Sequence, residues 1–300
     1  MAISEQWAYL LDPGLRSIFE LQRDALAAEA VAPQLFSVQS SSKAVEYDLS
    51  VGGFADWQEY KGAISYDEHE QGYRTSYTHV EFARGFRVER KLVDDDQYNV
   101  INRRPAGLAL SAMRKREKDA ASVFNNAFTA ANAGGDGISL CDGSHPMSPS
   151  NAAVQDNEGT TALSYDAVVA TREIMRAFED DRGELVQVRP DTLLVPPELE
   201  EEAFAIMKTA NKVDIADYHA NFVASALSKV IVWDYLTDAN NWFLIDSKLC
   251  KMYLNWFDRV PLEFAMDPTS DFSLEARFRG YMRYSYGWSD WRWVYGHTVT

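Results

Sequence analysis

One segment constrains this chain more than any other: RRPAGLALSAMRKREKDAASVFNNAFTAAN, residues 103–132. It is built from Ala, Leu, Met, Arg and Lys, which give up little side-chain freedom in a helix. Asp94, Asp95 and Asp96 precede it, and Pro105 suits a first turn. Met113, Ala120, Phe124, Ala127 and Phe128 recur at spacings of three, four and seven, which leaves one flank apolar and the other charged. The pattern predicts a helix over about 103–131, roughly 40 Å long at 1.5 Å per residue. A helix of that length acts as a spine on which other elements lie. Its charged flank carries Arg103, Arg104, Arg114, Lys115, Arg116 and Lys118 against Glu117 and Asp119. These cations suit acidic residues of another subunit, phosphate, or plain solvation.

The N-terminal side is of a different kind. Residues 2–30 place Leu15, Ile18, Phe19, Leu21 and Leu26 at roughly helical spacing, Pro33 ends the run, and 37–43 reads as a joint. Over 44–93, Val45, Tyr47 and Leu49 alternate. Gly52 and Gly53 then lead into Trp57, Tyr60, Tyr66, Tyr73 and Tyr77, and FRVERKLV at 86–93 is strand-like. This predicts long antiparallel strands joined by an extended loop. A segment so aromatic and so charged packs better on a neighbour than on itself, although an ordinary two-sided sheet within one subunit satisfies the same pattern.

Downstream of the long helix, the glycines and prolines of 133–159 mark a loop. Ser164 is placed to cap a helix over 165–178. VQVRPDTLLVPP reads as a strand pair broken at Pro190, and 198–209 as a helix with acidic first turns. Residues 230–236 and 242–257 read as core strands, and 271–286 as a long strand or a short helix running into one. The class is α+β.

With 46% hydrophobic and 13% aromatic residues the chain of 300 can bury a large core, which excludes wholesale disorder. Apolar runs are too short to span a membrane, and the start lacks the basic, apolar plan of a signal peptide, which implies cytoplasmic synthesis. The formal charge of −16 argues against a general grip on nucleic acid. Cys141 and Cys250 provide no disulfide framework. The histidines, His69, His79, His145, His219 and His297, show no metal-ligand spacing. Gly134, Gly135 and Gly137 lack the lysine of a phosphate loop. Ser144 beside His145 has no orienting acid in view. The acidic runs 94–96, 179–181 and 198–202 read as helix starts and solvated faces. No catalytic residue, metal ligand or cofactor site is expected.

The order of these features is more telling than any one of them. An N-terminal arm, an aromatic two-stranded segment, a long helix, a Gly-rich loop, a mixed region containing RPDTLLVPPELEEEAFAIM and a closing GWSDWRWVYG resemble the major capsid proteins of tailed phages with the HK97-type fold, the Mu-like head subunits above all. Pro190, Leu194, Pro196, Pro197 and Leu199 match the proline-bearing strand that leads into a helix in such chains; Gly287, Trp291, Arg292 and Gly296 match the closing pattern.

The resemblance implies an arm at 1–40, an extended β-hairpin loop (E-loop) at 41–90, a peripheral domain at 91–159 with its spine helix at about 103–131, an axial domain at 160–270, and a return to the peripheral domain at 271–300. It implies self-assembly into pentamers and hexamers of an icosahedral or prolate shell around double-stranded DNA, with the subunit assembled in the host bacterial cytoplasm and located in the virion capsid. Scaffold, portal and decoration proteins would be further partners, and DNA would be met by weak non-specific contact. Some relatives carry a removable N-terminal scaffolding part, whereas this sequence opens on arm-like residues, so scaffolding would be separate or already absent. Some crosslink a loop lysine, and Lys61 lies in the corresponding segment without a nameable partner. Candidate contacts between subunits are Trp7, Trp57, Tyr60, Lys61, Tyr66, Arg114, Arg116 and Lys118. The rival readings are an encapsulin-like or other homo-oligomeric structural protein and, from another class, a glycosidase-like enzyme with Trp242, Trp256, Trp288 and Trp291 lining a sugar cleft.

Overall fold

The computed structural model describes residues 7–54, 56–57, 59–62, 64, 66, 71–95, 99–130, 133–208, 221–267 and 275–300. The chain runs through helix α1 (Trp7–Glu29), α2 (Ala32–Leu35), strands β1 (Ser37–Ser40), β2 (Val45–Val51), β3 (Gln71–Thr78) and β4 (Val80–Glu89), then α3 (Arg90–Asp95) and the long α4 (Val100–Asn125). Three two-residue strands follow, β5 (His145–Pro146), β6 (Val154–Gln155) and β7 (Glu158–Gly159). Next come α5 (Tyr165–Arg176), β8 (Thr192–Val195), a 3₁₀ turn (Pro197–Leu199), α6 (Glu200–Lys208), α7 (Phe222–Ala226) and β9 (Lys229–Val232). The chain closes with β10 (Trp242–Ile245), α8 (Ser247–Tyr253), β11 (Leu254–Asp267), β12 (Glu275–Trp288) and β13 (Val294–His297).

Two sheets share α4. The first has the order β1-β11-β12-β4, antiparallel except for β1, which runs parallel to β11. The second has the order β7-β13-β10-β8-β9. The N-terminal half of α4 lies on the first sheet, with Leu108 against Gly280 of β12. Its C-terminal end plugs the second, where Phe124 meets Trp233, Phe243 and Trp293 at centroid distances of 5.9, 5.3 and 6.0 Å. The long helix thus has the role its sequence suggested, with different ends. It starts at Val100 and stops at Asn125, where the Asn125 amide is held by Tyr235 O and Thr237 N and the Asn126 side chain bonds back to Ser122 O, the last a local bond that competes with further helix.

Helix α1 buries Leu15 and Phe19, the latter stacked on Phe264 at 4.9 Å, and half-buries Ile18 and Leu26. Leu21 is exposed; six residues from Leu15, it has rotated off the stripe.

Four strand readings are corrected. The 230–236 run is strand only to Val232, the last residue paired with β8. The 86–93 strand ends at Glu89, the last residue opposite β12 (Glu275↔Glu89), and 90–95 turns helical with Arg90 and Asp94 four apart at 3.8 Å. The 242–257 run is interrupted by α8, because Asp246 caps it by accepting from Lys248 N and Leu249 N. In VQVRPDTLLVPP only 192–195 is strand, since Arg189 N is taken by the Asp246 carboxylate and Asp191 N by Ile245 O. The Ser164 cap forms as read, accepting from Ala167 N, and its helix ends at Arg176.

Candidate assembly surfaces

Strands β3 and β4 are nearly one strand with two partners. β3 pairs antiparallel with β2, β4 pairs antiparallel with β12, and the change of partner falls at His79. The β2–β3 hairpin therefore projects from the first sheet as a two-stranded ribbon. One of its faces turns inward: Tyr77 is buried against Phe257 at 5.1 Å, and burial pushes its hydroxyl up to about 12. The other carries Tyr47, Leu49 and Val51, all exposed, with Arg74 laid over Tyr47 at 4.0 Å. A lone two-stranded hairpin has too little burial to be stable by itself, and its far end also touches the body, where Gly53 N donates to Asp181 Oδ1 at 3.0 Å. Gly134, in the loop after α4, lies so close to Trp288 that a Cβ there would sit 2.2 Å from the ring. That contact is why the loop after α4 is glycine, as opposed to any phosphate cradle.

Beyond the strands the loop carries a run of bare apolar side chains. Phe54, Trp57, Tyr60, Ile64 and Tyr66 are all exposed, Trp57 completely (102%) and Tyr66 nearly so (89%). Lys61 lies among them, 3.6 Å from Glu59, with both side chains in solvent. Trp7 begins α1, but its side chain lies outside the described residues.

The basic flank of α4 divides. Arg114 and Lys118 are exposed. Arg116, expected at a contact between subunits, instead spends its guanidinium inside this one. Its two amino groups reach Asp258 Oδ1 and Oδ2 at 2.8 and 3.0 Å, and it lies over Trp256 and Tyr284. Its planar fork, stacked on aromatics and bidentate to a carboxylate, is committed to a pairing within the subunit.

The residues missed from sequence are Glu117 and Asp119. Glu117 is buried and accepts from Val31 N, Ala32 N and Trp233 Nε1 at 3.3, 3.1 and 2.9 Å. One carboxylate thereby joins the α1–α2 segment, the spine helix and the end of β9. Asp119 takes Tyr284 Oη at 2.7 Å and Lys115 Nζ at 2.6 Å. A signal for Glu117 was present: Met113, Glu117, Ala120 and Phe124 are spaced four, three and four, so the acid sits on the apolar stripe, where a charge survives only with partners.

The chemical alternatives lose their geometry. Ser144 Oγ donates to Asp142 Oδ1 at 2.6 Å, while His145 Nδ1 lies 2.9 Å from Asp136 Oδ2 and its ring stacks on Trp291, so serine and histidine face different acids. His297 stacks on Trp242 at 4.0 Å, accepts from Thr161 N, and meets Thr171 Oγ1 at 2.8 Å; burial lowers its pKa to about 4. The Cys141 and Cys250 thiols are free, and burial pushes both up. Trp242, Trp256, Trp288 and Trp291, proposed as a sugar platform, are core side chains with at most 3% exposure. Asp180 and Asp181 serve turn amides. Among the described residues no group of three or more His, Cys, Asp or Glu is placed to hold a metal ion, and no helix is long and apolar enough to cross a membrane.

A family model described as phage capsid protein matches residues 72–296, three quarters of the chain. The chain belongs to that family. This capsid protein has no match among curated proteins, and its likeness to solved shells is one of fold. The capsid of cyanophage P-SCSP1u aligns with a TM-score of 0.61 at 10% identity, over 90% of this chain and 88% of that one. The capsid of bacteriophage JBD30 decorated with minor capsid protein trimers aligns at 0.56 and 16%, over 69% and 91%. The capsid of a native GTA particle aligns at 0.54 and 17%, over 89% of each. These matches support the HK97-like reading at the level of the fold family. The family is one of structural capsid subunits.

Proposed function

We propose that the capsid protein is the major head subunit, identical copies of which build the pentamers and hexamers of an icosahedral or prolate shell around double-stranded DNA. The observation that carries this reading is that Phe54, Trp57, Tyr60, Ile64 and Tyr66 are all exposed in the loop beyond β2. Exposed apolar groups in such density mark a surface that another protein covers, and aromatic anchors dominate interface energetics. In this reading residues 1–40 act as an arm, 41–90 as the extended loop over a neighbour, 91–159 with 271–300 as the peripheral domain and 160–270 as the axial domain. Trp57, Tyr60, Lys61 and Tyr66 meet the neighbouring copy, and Trp7, Arg114 and Lys118 make further contacts. Heterologous contacts of this kind close into rings when the rotation allows. The Mu-like head subunits are the group it best resembles. Scaffold and portal proteins join during assembly in the host bacterial cytoplasm, and a decoration protein is a further partner, as the decorated JBD30 capsid illustrates. A subunit with a formal charge of −16 meets packaged DNA only weakly and without sequence preference.

Negative-stain microscopy with mass photometry of the purified protein, alone and co-expressed with its genomic neighbours, tests this. Closed shells, tubes, or rings of five and six are expected. A monodisperse monomer in both preparations overturns the reading.

A further inference from the structure

The strand that carries the hairpin changes partner at a single residue. His79 stands between β3 and β4, where the strand exchanges β2 for β12, and only 6% of it is exposed. Its ring is held from both sides: Nε2 lies 3.2 Å from Ser41 Oγ, where the chain enters the hairpin, and Nδ1 lies 3.0 Å from Ser285 Oγ, on β12. The proton positions follow from Ser41. That hydroxyl gives its one hydrogen to Glu46 Oε1 at 2.7 Å and accepts from Lys43 N at 3.2 Å, so toward His79 it can only accept. Nε2 is therefore the N–H, and Nδ1 accepts from Ser285. This is the neutral ring, with every member of the chain Ser285–His79–Ser41–Glu46 satisfied.

We propose that His79 is a positioning residue that locks the root of the β2–β3 hairpin to the first sheet only while its imidazole is neutral, so that protonation releases the hairpin. A second ring proton at Nδ1 would point at a hydroxyl that is donating, forcing Ser285 to turn its hydrogen into a buried space. The new cation would also face Arg283 of β12 and Arg259 of β11, with Glu46 of β2 as the opposing charge. Burial, then the two arginines, hold the ring below its ordinary 6.5, against the opposing pull of Glu46. Lys43, 2.8 Å from Glu46, and Ser41 keep that carboxyl below its usual range, so it stays ionised where His79 titrates.

The sign is fixed. An open hairpin returns the ring to solvent and to a pKa near 6.5, so opening takes up a proton; closure is fully favoured above 6.5 and is lost as pH falls from there toward the lowered value. The opening constant rises by no more than about tenfold per pH unit.

Hydrogen exchange by mass spectrometry on the subunit, expressed as protection factors for β2 and β3 from pH 8 to 5, reads this directly. In the wild type, protection of these strands is expected to fall below pH 6.5, by up to about tenfold per unit, while that of helix α4, which carries no histidine, holds. His79→Gln, which can donate and accept but cannot titrate, is expected to keep the hairpin protected and flat with pH. Ser285→Ala, which removes only the donor to Nδ1, is expected to lower protection already at pH 8 and to shrink its fall with pH, because the closed-state pKa moves up toward that of the open state. Protection independent of pH in the wild type, or the same pH profile in His79→Gln, overturns the proposal. The inference rests on the shell-subunit reading only for its use in assembly. The exchange readout is made on free subunits, so its failure is separate from a failure to form shells.

Discussion

At the residue scale, the described structure turns on side chains whose partners are remote in sequence. Glu117 serves two backbone amides 85 and 86 positions away and an indole 116 positions away. Glu117→Ala strands three buried donors at once, and the expected loss is about 3 kcal/mol or more, whereas Glu117→Gln keeps an acceptor and loses about half that. Urea midpoints at unchanged m-value check both. A stability change within about 0.5 kcal/mol for the alanine variant would mean that water replaces the carboxylate. Legibility at this scale was partial. The Ser164 cap could be read because its partner is three residues on, and the apolar stripe located Phe124. The Arg116–Asp258 pair spans 142 positions, and no local pattern announces it; in the sequence Arg116 was one cation in a basic run.

At the element scale, helices and strands were read where the period lasted and missed where a short cap or a lost partner cut it. The α4 spine was legible from a long periodic run; for β12 the pattern left a long strand and a short helix running into one both open. Helix α8 was not, because seven residues are too few to show a period, and only the Asp246 cap marks it. The hairpin was legible as extended, aromatic chain. That Trp57, Tyr60 and Tyr66 remain bare was one of the two readings the pattern allowed, and Tyr77, read in the same run, is buried. The triple substitution Trp57→Ala, Tyr60→Ala and Tyr66→Ala removes side chains that touch little of their own subunit. Its unfolding free energy is expected within about 0.5 kcal/mol of wild type, since exposed positions away from packed features behave so, while shells and rings are lost. Thermal melting and mass photometry on the same samples separate the two effects. A large drop in melting temperature would place these residues in the fold and not at an interface.

At the scale of the whole molecule, topology was the least legible property. Strand β1 lies parallel to β11 across 218 positions (Ser37↔Asn255), and composition cannot name such a partner; only the order of segments, through its family resemblance, pointed to the arrangement. Charge acts at this scale too. Copies of −16 repel one another, and the screening length shrinks from about 8 Å at physiological salt to about 3 Å at 1 M. Assembly followed by light scattering is expected to begin at a lower protein concentration as sodium chloride rises over that range. A shift the other way would show that attraction between unlike charges, such as Arg114 or Lys118 with a neighbour's acids, outweighs the net repulsion.

The near-continuity of β3 and β4 has a mechanical meaning. A pull on the projecting hairpin travels along covalent backbone straight into β4, whose ten register positions with β12 lie parallel to that pull. The sheet is then loaded in shear, with its hydrogen bonds sharing the force; the same bonds peeled from one end would fail one at a time. A container strained from within asks for that direction of loading at every joint.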